Sequence, residues 1–185
     1  MDNDVSAGGT TTIAGRLALG ITLLAFGLGY TDVIDGVTAA DAVSIAHYIG
    51  GVALFVAGLF AFRDRDAGTG TAFSVLGAMW FTWAVTDAGS ANAAGLFYLL
   101  FALVVLSLAA AGGDQLARGT YGLFLVGLVL MAVAAFADSG SLTKAGGWFA
   151  VAAGAVAWYA ATAALAHWPT VLPKRAAGRG VTAAG

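Results

Sequence analysis

Side chains that could carry out catalysis are scarce in this sequence and lie far apart. The 185 residues contain no cysteine, no glutamate and only two histidines, His47 and His167. Ser44 precedes His47 by three positions and would share its helix face, but the pair lacks an acid that would orient the imidazole. A nucleophilic triad, thiolate chemistry and a metal site all need residue sets that are missing here. We therefore expect no enzyme activity, no metal and no cofactor.

A few polar groups interrupt long apolar stretches, and these are the remaining candidates for function. Polar side chains are costly inside a bilayer, so each of them is a candidate functional residue. Arg16 lies near the end of its stretch and could snorkel to the interface or attract an anion. His47 could accept a proton near neutral pH or hydrogen-bond to a neighbouring helix. Trp80 and Thr82 could donate hydrogen bonds to a solute, although a threonine hydroxyl bonds its own helix as readily.

The elements that would hold these residues are six apolar stretches separated by short charged turns. Hydrophobic residues make up 60% of the chain and charged residues 10%, which is typical of a membrane protein. A helix needs about 20 residues to cross the hydrocarbon core, where its backbone groups must pair within the segment. The predicted fold is an all-α membrane protein with six transmembrane helices. The predicted spans are Ile13–Tyr30, Ala42–Phe62, Thr71–Asp87, Ala91–Ala111, Thr120–Ala137 and Lys144–Ala166.

The basic residues are concentrated at one end of the spans, which predicts their orientation in the membrane. That end carries Arg16, Arg63, Arg65, Arg118, Lys174, Arg175 and Arg179, and only Lys144 lies at the other. We expect both termini in the cytoplasm of a bacterium and the acidic turns outside its inner membrane. Residues 1–12 would form an N-terminal tail, 13–166 the transmembrane transport domain, and 167–185 a basic C-terminal tail. The net charge of −2 gives no case for nucleic-acid binding.

Glycine is abundant, with 27 residues, and small residues let helices in a membrane approach closely. The second and sixth spans share one arrangement of small residues. We expect these glycines to form packing faces, either within one bundle or between protomers. They are Gly50, Gly51 and Gly58 in the second span and Gly146, Gly147 and Gly154 in the sixth.

Several segments resemble a known transporter family. One runs from Tyr48 to Leu59 as Tyr-Ile-Gly-Gly-Val-Ala-Leu-Phe-Val-Ala-Gly-Leu and is followed, after a charged turn, by Gly70-Thr71-Ala72-Phe73, Gly77 and Trp80-Phe81-Thr82. Another comprises Ala145-Gly146-Gly147-Trp148, Gly154-Ala155 and the closing Thr170-Val171-Leu172-Pro173. These segments are similar to parts of the acetate uptake transporter family, also called GPR1/FUN34/YaaH. The parts are the second, third and sixth helices and the segment that closes the sequences of its members. This family includes the bacterial succinate-acetate permeases.

The resemblance implies a transporter or channel for acetate or a related short-chain carboxylate, linked to protons, in a homo-oligomer that is hexameric in the structurally known relatives. Matching without gaps places the hydrophobic constriction of the permeases at Leu19, Leu76 and Gly127. This ring would be smaller here and would lack a phenolic hydroxyl. Thr12, Trp80 and Thr82 would line the solute pathway, and His47 is the candidate proton acceptor.

The chain also departs from the family pattern. Members open the first helix with Asn-Pro-Ala-Pro-Leu-Gly-Leu, whereas residues 10–16 read Thr-Thr-Thr-Ile-Ala-Gly-Arg, so that only the glycine matches. Positions that carry a glutamine and a glutamate in the second helix of the permeases read Leu54 and Ala61. The identity of the solute is therefore the least constrained part of the expectation.

Two other functions fit the composition. One is a channel for a neutral small solute such as urea, an amide or undissociated acid, which suits a membrane interior without charged groups. The other is a structural or sensory membrane protein that uses its small-residue faces to assemble with partners. A continuous solute route would favour the transport functions, whereas helices packed solid through the middle would favour the structural one.

Overall fold

A computed structural model describes residues 9–86 and 89–168 of the chain. Across this described part, six long helices account for the regular structure and no strand occurs. The helices are α1 Thr10–Gly29, α2 Ala39–Arg63, α3 Ala67–Val85, α4 Ala91–Ala111, α5 Gln115–Ala137 and α6 Gly140–Leu165. The predicted all-α fold and the number of helices are confirmed. Asp87, most of the N-terminal tail and the basic residues of the C-terminal tail lie outside the described residues.

Five of the six helices begin three to five residues before the predicted spans. The predictions placed each start where the apolar run begins, but a helix begins at the residue that caps its free N–H groups. Asp66 accepts from the Thr69 N–H at 3.0 Å and Asp114 from the Ala117 N–H at 2.8 Å. Each cap adds a polar first turn to its helix, which hydropathy alone does not register.

Membrane-spanning character is uneven among the helices. Among the described residues, α1, α2, α4, α5 and α6 are long and apolar enough to cross a membrane. The helix that is missing from this set is α3, whose 19 residues include several glycines, threonines and tryptophans. These residues lower its mean hydropathy. That the third predicted span, which corresponds to α3, crosses the membrane therefore stays a prediction.

Helix α2 changes its winding in the middle. It is α-helical over Ala39–Ile45, a π-helix over Ala46–Ala53 and α-helical again over Leu54–Arg63. A π-segment is wider than an α-helix and commonly occurs at functional sites. This one contains His47 and the Gly50-Gly51 pair, and nothing in the spacing of the residues predicted it.

The six helices form a ring in the order α4, α5, α6, α1, α2, α3. Each pair of neighbours packs closely except α3 and α4, which touch only lightly. The inward faces supply one hydrophobic core, to which every helix contributes. Its largest fully buried side chains include Trp80, Phe26, Phe124, Leu23, Leu54 and Leu76.

Glycines allow the backbones in this ring to approach closely. A Cβ added to Gly154 would lie 2.8 Å from the Gly20 carbonyl oxygen, and one added to Gly147 would lie 2.9 Å from the Gly27 carbonyl oxygen. All six glycines that the sequence marked lie at such contacts within this chain. In the same way Gly146 faces α5, Gly51 and Gly58 face α3, and Gly50 faces Thr22 of α1 and Trp80.

The contact between α1 and α6 leads to a stability prediction. Gly154→Ala should lower the unfolding temperature in detergent, because its methyl group would collide with the backbone of α1 and overpacking costs about 1 to 3 kcal/mol. Gly122→Ala is the matched control, because a Cβ at Gly122 meets open space and alanine favours a helix by up to about 1 kcal/mol over glycine. Equal unfolding temperatures for the two variants would contradict the packing seen here.

Candidate functional site

A cavity of about 470 Å³ enters the ring at the end where α1, α3 and α5 begin and α4 ends. We call this cavity the vestibule. It has room for a hydrated small solute, since liquid water takes roughly 30 Å³ per molecule. The predicted pathway residue Thr12 lies in its wall. The polar side chains that line it are Thr12, Arg16, Asp66, Thr69, Asp114 and Tyr121.

Two helix caps and one ion pair organise the charges of the vestibule. Asp66 and Asp114 cap α3 and α5, and the Arg16 guanidinium of α1 forms a salt bridge with the Asp114 carboxylate. Hydrogen bonds from Thr69 lower the pKa of Asp66. Burial raises the pKa of Asp114, but the Ala117 N–H and the Arg16 guanidinium lower this pKa by more, so that Asp114 titrates below its usual range. Arg16 therefore pairs with Asp114 inside the chain. The prediction that Arg16 snorkels to the interface did not include this partner.

The floor of the vestibule is apolar. Phe73 closes it, and a cleft of about 10 Å³ continues past Arg16 and Phe73 to Leu19. That volume is about the least that holds one water molecule. Leu76 lies one turn further along α3 and is fully buried in the same cluster as Leu19. We call Leu19, Phe73 and Leu76 the plug, because all three are buried members of the core at the inner end of the vestibule.

The third predicted constriction residue, Gly127, points in another direction. A Cβ at Gly127 would lie 3.1 Å from the Gly146 carbonyl oxygen of α6. Gly127 therefore supports the packing of α5 on α6, and Leu19 and Leu76 share the core without it. One turn earlier on α5, Phe124 is 1% exposed and belongs to the core. The assignment of all three residues to a conducting constriction stays a prediction.

Beyond the plug, Trp80 is held among aromatic rings. Its ring stacks on Phe124 with centroids 5.7 Å apart and an interplanar angle of 18°, and Phe26 and Trp83 meet it edge-on. Trp80 is 1% exposed, and its indole N–H finds no hydrogen-bond acceptor among the described residues. A buried donor without a partner is costly. The Trp80 N–H is therefore available to a solute or water that reaches the middle of the ring.

Two tyrosines bridge the ring near its other end. The hydroxyl groups of Tyr30, just after α1, and Tyr98 of α4 lie 3.1 Å apart. α1 and α4 stand opposite each other in the ring, so this hydrogen bond crosses its interior. The Tyr30 ring also packs edge-on against Phe26, with centroids 5.0 Å apart.

Sequence reasoning missed several members of this aromatic group, although a signal for them existed. Leu19, Leu23 and Phe26 follow one another at i, i+4 and i+7 along α1, and Leu76, Trp80 and Trp83 have the same spacing along α3. This spacing marks one face of a helix. The fully apolar composition of the spans hid the pattern, because neighbouring positions are also apolar.

Thr82 and His47 lie apart from Trp80 and the plug. Thr82 is exposed on the outer face of α3, and its hydroxyl donates to the Ala78 carbonyl oxygen of its own helix at 2.8 Å. The half-buried His47 ring packs against the rings of Tyr48 and Phe81, with centroids 4.7 Å and 4.8 Å apart. Of the predicted site residues, the structure therefore brings Leu19, Leu76 and Trp80 together and places Thr12 at the vestibule.

Comparisons with known proteins give one family and one fold. The sequence profile of the GPR1/FUN34/yaaH family matches residues 6–172. No curated protein matches this chain in sequence. A solved structure described as the bacterial acetate channel SatP is similar with a TM-score of 0.80 and 22% identity, covering 89% of this chain and 98% of that one. At this identity the likeness shows the shared fold.

The unpaired indole leads to a prediction about stability. Trp80→Phe keeps an aromatic ring on Phe124 and removes an N–H that makes no bond within the described chain. We expect its free energy of unfolding in mixed micelles to fall by about 1 kcal/mol, from the smaller ring volume alone. Trp80→Ala should cost about 3 to 5 kcal/mol. A loss for Trp80→Phe as large as that for Trp80→Ala would show that the N–H has a partner in the folded protein.

Proposed function

The chain belongs to the GPR1/FUN34/yaaH family, and we propose that it is a membrane transporter or channel for acetate or related short-chain carboxylates. The solved structure that shares its fold is described as a bacterial acetate channel. The observation that carries the proposal is the vestibule, a polar cavity that enters a ring of six helices and ends on an apolar plug at mid-depth. Beyond the vestibule the middle of the ring is packed with buried side chains, which by itself would suit a structural role, so the transport proposal rests on the family together with the vestibule.

The chemistry of the plug sets the form in which the solute crosses. A bare carboxylate faces a large desolvation cost in an apolar environment, and Leu19, Phe73 and Leu76 offer no hydrogen-bond donor. A carboxylic acid that carries its proton avoids most of this cost. Its oxygen can then accept from the Trp80 N–H directly beyond the plug. Transport is therefore linked to protons through the protonation of the solute itself.

Six membrane crossings and a cytoplasmic vestibule complete this proposal. α3 lies between α2 and the lightly packed α4, and this position in the ring supports a sixth crossing although the hydropathy of α3 itself is lower. Arg63, Arg65 and Arg118 lie at the vestibule end, and Lys144 lies at the other end beside Asp32, with 3.0 Å between nitrogen and oxygen. The positive-inside rule then favours both termini and the vestibule on the cytoplasmic side of a bacterial inner membrane.

We propose a homo-oligomer, and specifically a hexamer, on the strength of the family resemblance, and the outer surface of the ring is compatible with it. Many large apolar side chains on α2 and α4 are exposed. Lipid tails or a second protomer would cover them equally well. Examples are Phe55, Leu59 and Phe60 on α2, and Leu96, Leu100 and Leu103 on α4.

A channel for a neutral solute remains the second candidate, because the core at mid-depth is apolar. Urea, an amide and undissociated acid would all pass the plug without leaving a charge in it. A swelling assay on proteoliposomes separates the two candidates. Acetate flux should rise as the pH falls, whereas urea flux should be independent of pH.

The plug gives the first functional prediction. Wild-type proteoliposomes should accumulate labelled acetate when a proton gradient is imposed. Leu76→Trp should reduce the initial rate about tenfold or more by filling the narrowest part of the route, and Leu76→Ala should raise it. Leu103→Trp is the matched control, because Leu103 is 56% exposed on the outside of α4 and its substitution leaves the plug intact. Uptake that is unaffected by both changes at Leu76 would place the route elsewhere.

His47 gives the second functional prediction. As the candidate proton acceptor, His47 would take up and release the transported proton. His47→Gln should then flatten the pH profile of uptake, because a glutamine side chain does not take up a proton. The remaining dependence should follow the protonated fraction of the acid, which falls about tenfold per pH unit above the pKa of the acid. An unchanged profile would leave the solute as the sole proton carrier.

A further inference from the structure

Arg16 occupies the point where the vestibule narrows. Its side chain lines both the vestibule and the cleft that leads on to Leu19. Among the described residues that line the vestibule, Arg16 is the one cation, and Asp66 and Asp114 are the two anions. Any solute that moves from the vestibule to the plug therefore passes this guanidinium.

The charges around the vestibule do not favour anions in general. One guanidinium against two carboxylates leaves a net charge of minus one, and the guanidinium is already bound to Asp114. A carboxylate solute can gain from Arg16 only by taking the place of Asp114 on it. The planar fork of an arginine suits this exchange, because it presents five N–H donors and can bind carboxylates in more than one geometry.

We propose that Arg16 is a carboxylate-binding site in the vestibule and that Asp114 is an internal competitor for it. This inference rests on the proposed function for the identity of the solute. Asp114 suits the competing role because it keeps its place when the guanidinium leaves. Its other oxygen accepts from the Ala117 N–H at 2.8 Å and so remains fixed at the start of α5. The ion pair re-forms as soon as the solute moves on.

Competition of this kind makes binding selective and weak at once. A solute route must bind its solute well enough to admit it and loosely enough to release it. An unpaired arginine in a partly dry site would hold a carboxylate tightly. The Asp114 carboxylate lowers that affinity, and it also makes the site selective, because a neutral amide cannot replace a carboxylate on a guanidinium.

The chain offers matched variants that separate this role from a structural one. Arg16→Gln removes the binding group, and Asp114→Asn removes the competing charge while its side-chain oxygen can still cap α5. Asp41→Asn is the control, because the Asp41 carboxylate also caps a helix, accepting from the Thr38 N–H at the start of α2, but does not line the vestibule. Arg16→Lys keeps the charge without the fork.

The experiment measures initial rates of acetate flux against acetate concentration in proteoliposomes at one pH on both sides. Arg16→Gln should raise the half-saturating concentration about tenfold and Asp114→Asn should lower it by a similar factor. Arg16→Lys should lie between Arg16→Gln and the wild type, and Asp41→Asn should stay within about twofold of the wild type. Flux of acetamide, the neutral counterpart, should not change in either direction.

A purely structural salt bridge would give a different result. Breaking it from either side would then change flux and unfolding temperature in the same direction, and acetamide would respond together with acetate. That outcome would overturn the inference while leaving the proposed function standing.

A second measurement separates the inference from the proposed function. Saturation-transfer NMR on the acetate methyl protons, with protein in detergent, reports binding without transport. Stronger acetate binding by Asp114→Asn and its loss in Arg16→Gln would establish the site even if wild-type vesicles carried no acetate, in which case the proposed function alone would fail. Equal binding by all variants would overturn the inference.

Discussion

The close approach of α1 and α6 is the contact on which the interior of this protein depends. Gly20 and Gly27 of α1 lie against Gly154 and Gly147 of α6, with no side chain between the backbones. Because this contact fixes the rotation of α1, the adjacent face of that helix points into the ring. That face carries, at alternating spacings of four and three residues, Thr12, Arg16, Leu19, Leu23, Phe26 and Tyr30. A single helix thus contributes to the vestibule, the plug, the aromatic cluster and the outer tyrosine bridge.

The interior has polar contacts at both ends and an apolar middle. At one end an ion pair links α1 to the start of α5, and at the other a pair of hydroxyl groups links α1 to α4. Between them the plug and the aromatic rings leave the Trp80 N–H as a buried donor that finds no acceptor in the described chain. Under the proposed function, such an arrangement would reject ions through desolvation and would accept a solute that brings its own proton or carries no charge. Selectivity for a carboxylate would then arise in the vestibule, where we propose that Arg16 binds it.

Much of the fold was predictable, whereas less of the site was. Long apolar runs can satisfy their backbone groups in a membrane only as helices, so the number of helices followed directly from the sequence. The starts of α3 and α5 were placed too late, because Asp66 and Asp114 act as caps and extend each helix into polar sequence. Within the site, Leu19, Leu76 and Trp80 share the core, and their roles in a constriction and a solute pathway stay predictions. Thr82 does not join them, because it lies on the outer face of α3. Hydropathy could not show this, because the residues of that helical turn are all apolar or small.

By itself, the sequence determined that this chain forms a bundle of apolar helices with its basic residues concentrated at one end and glycines where helices meet. Those properties depend on composition and on local spacing along one helix. Only the tertiary structure decided that Arg16 meets Asp114, that Tyr30 meets Tyr98, and that the Trp80 N–H is buried without an acceptor in the described chain. These pairings join residues 68 or more positions apart. They depend on the order of helices around the ring and on the rotation of each, which glycine contacts between backbones set.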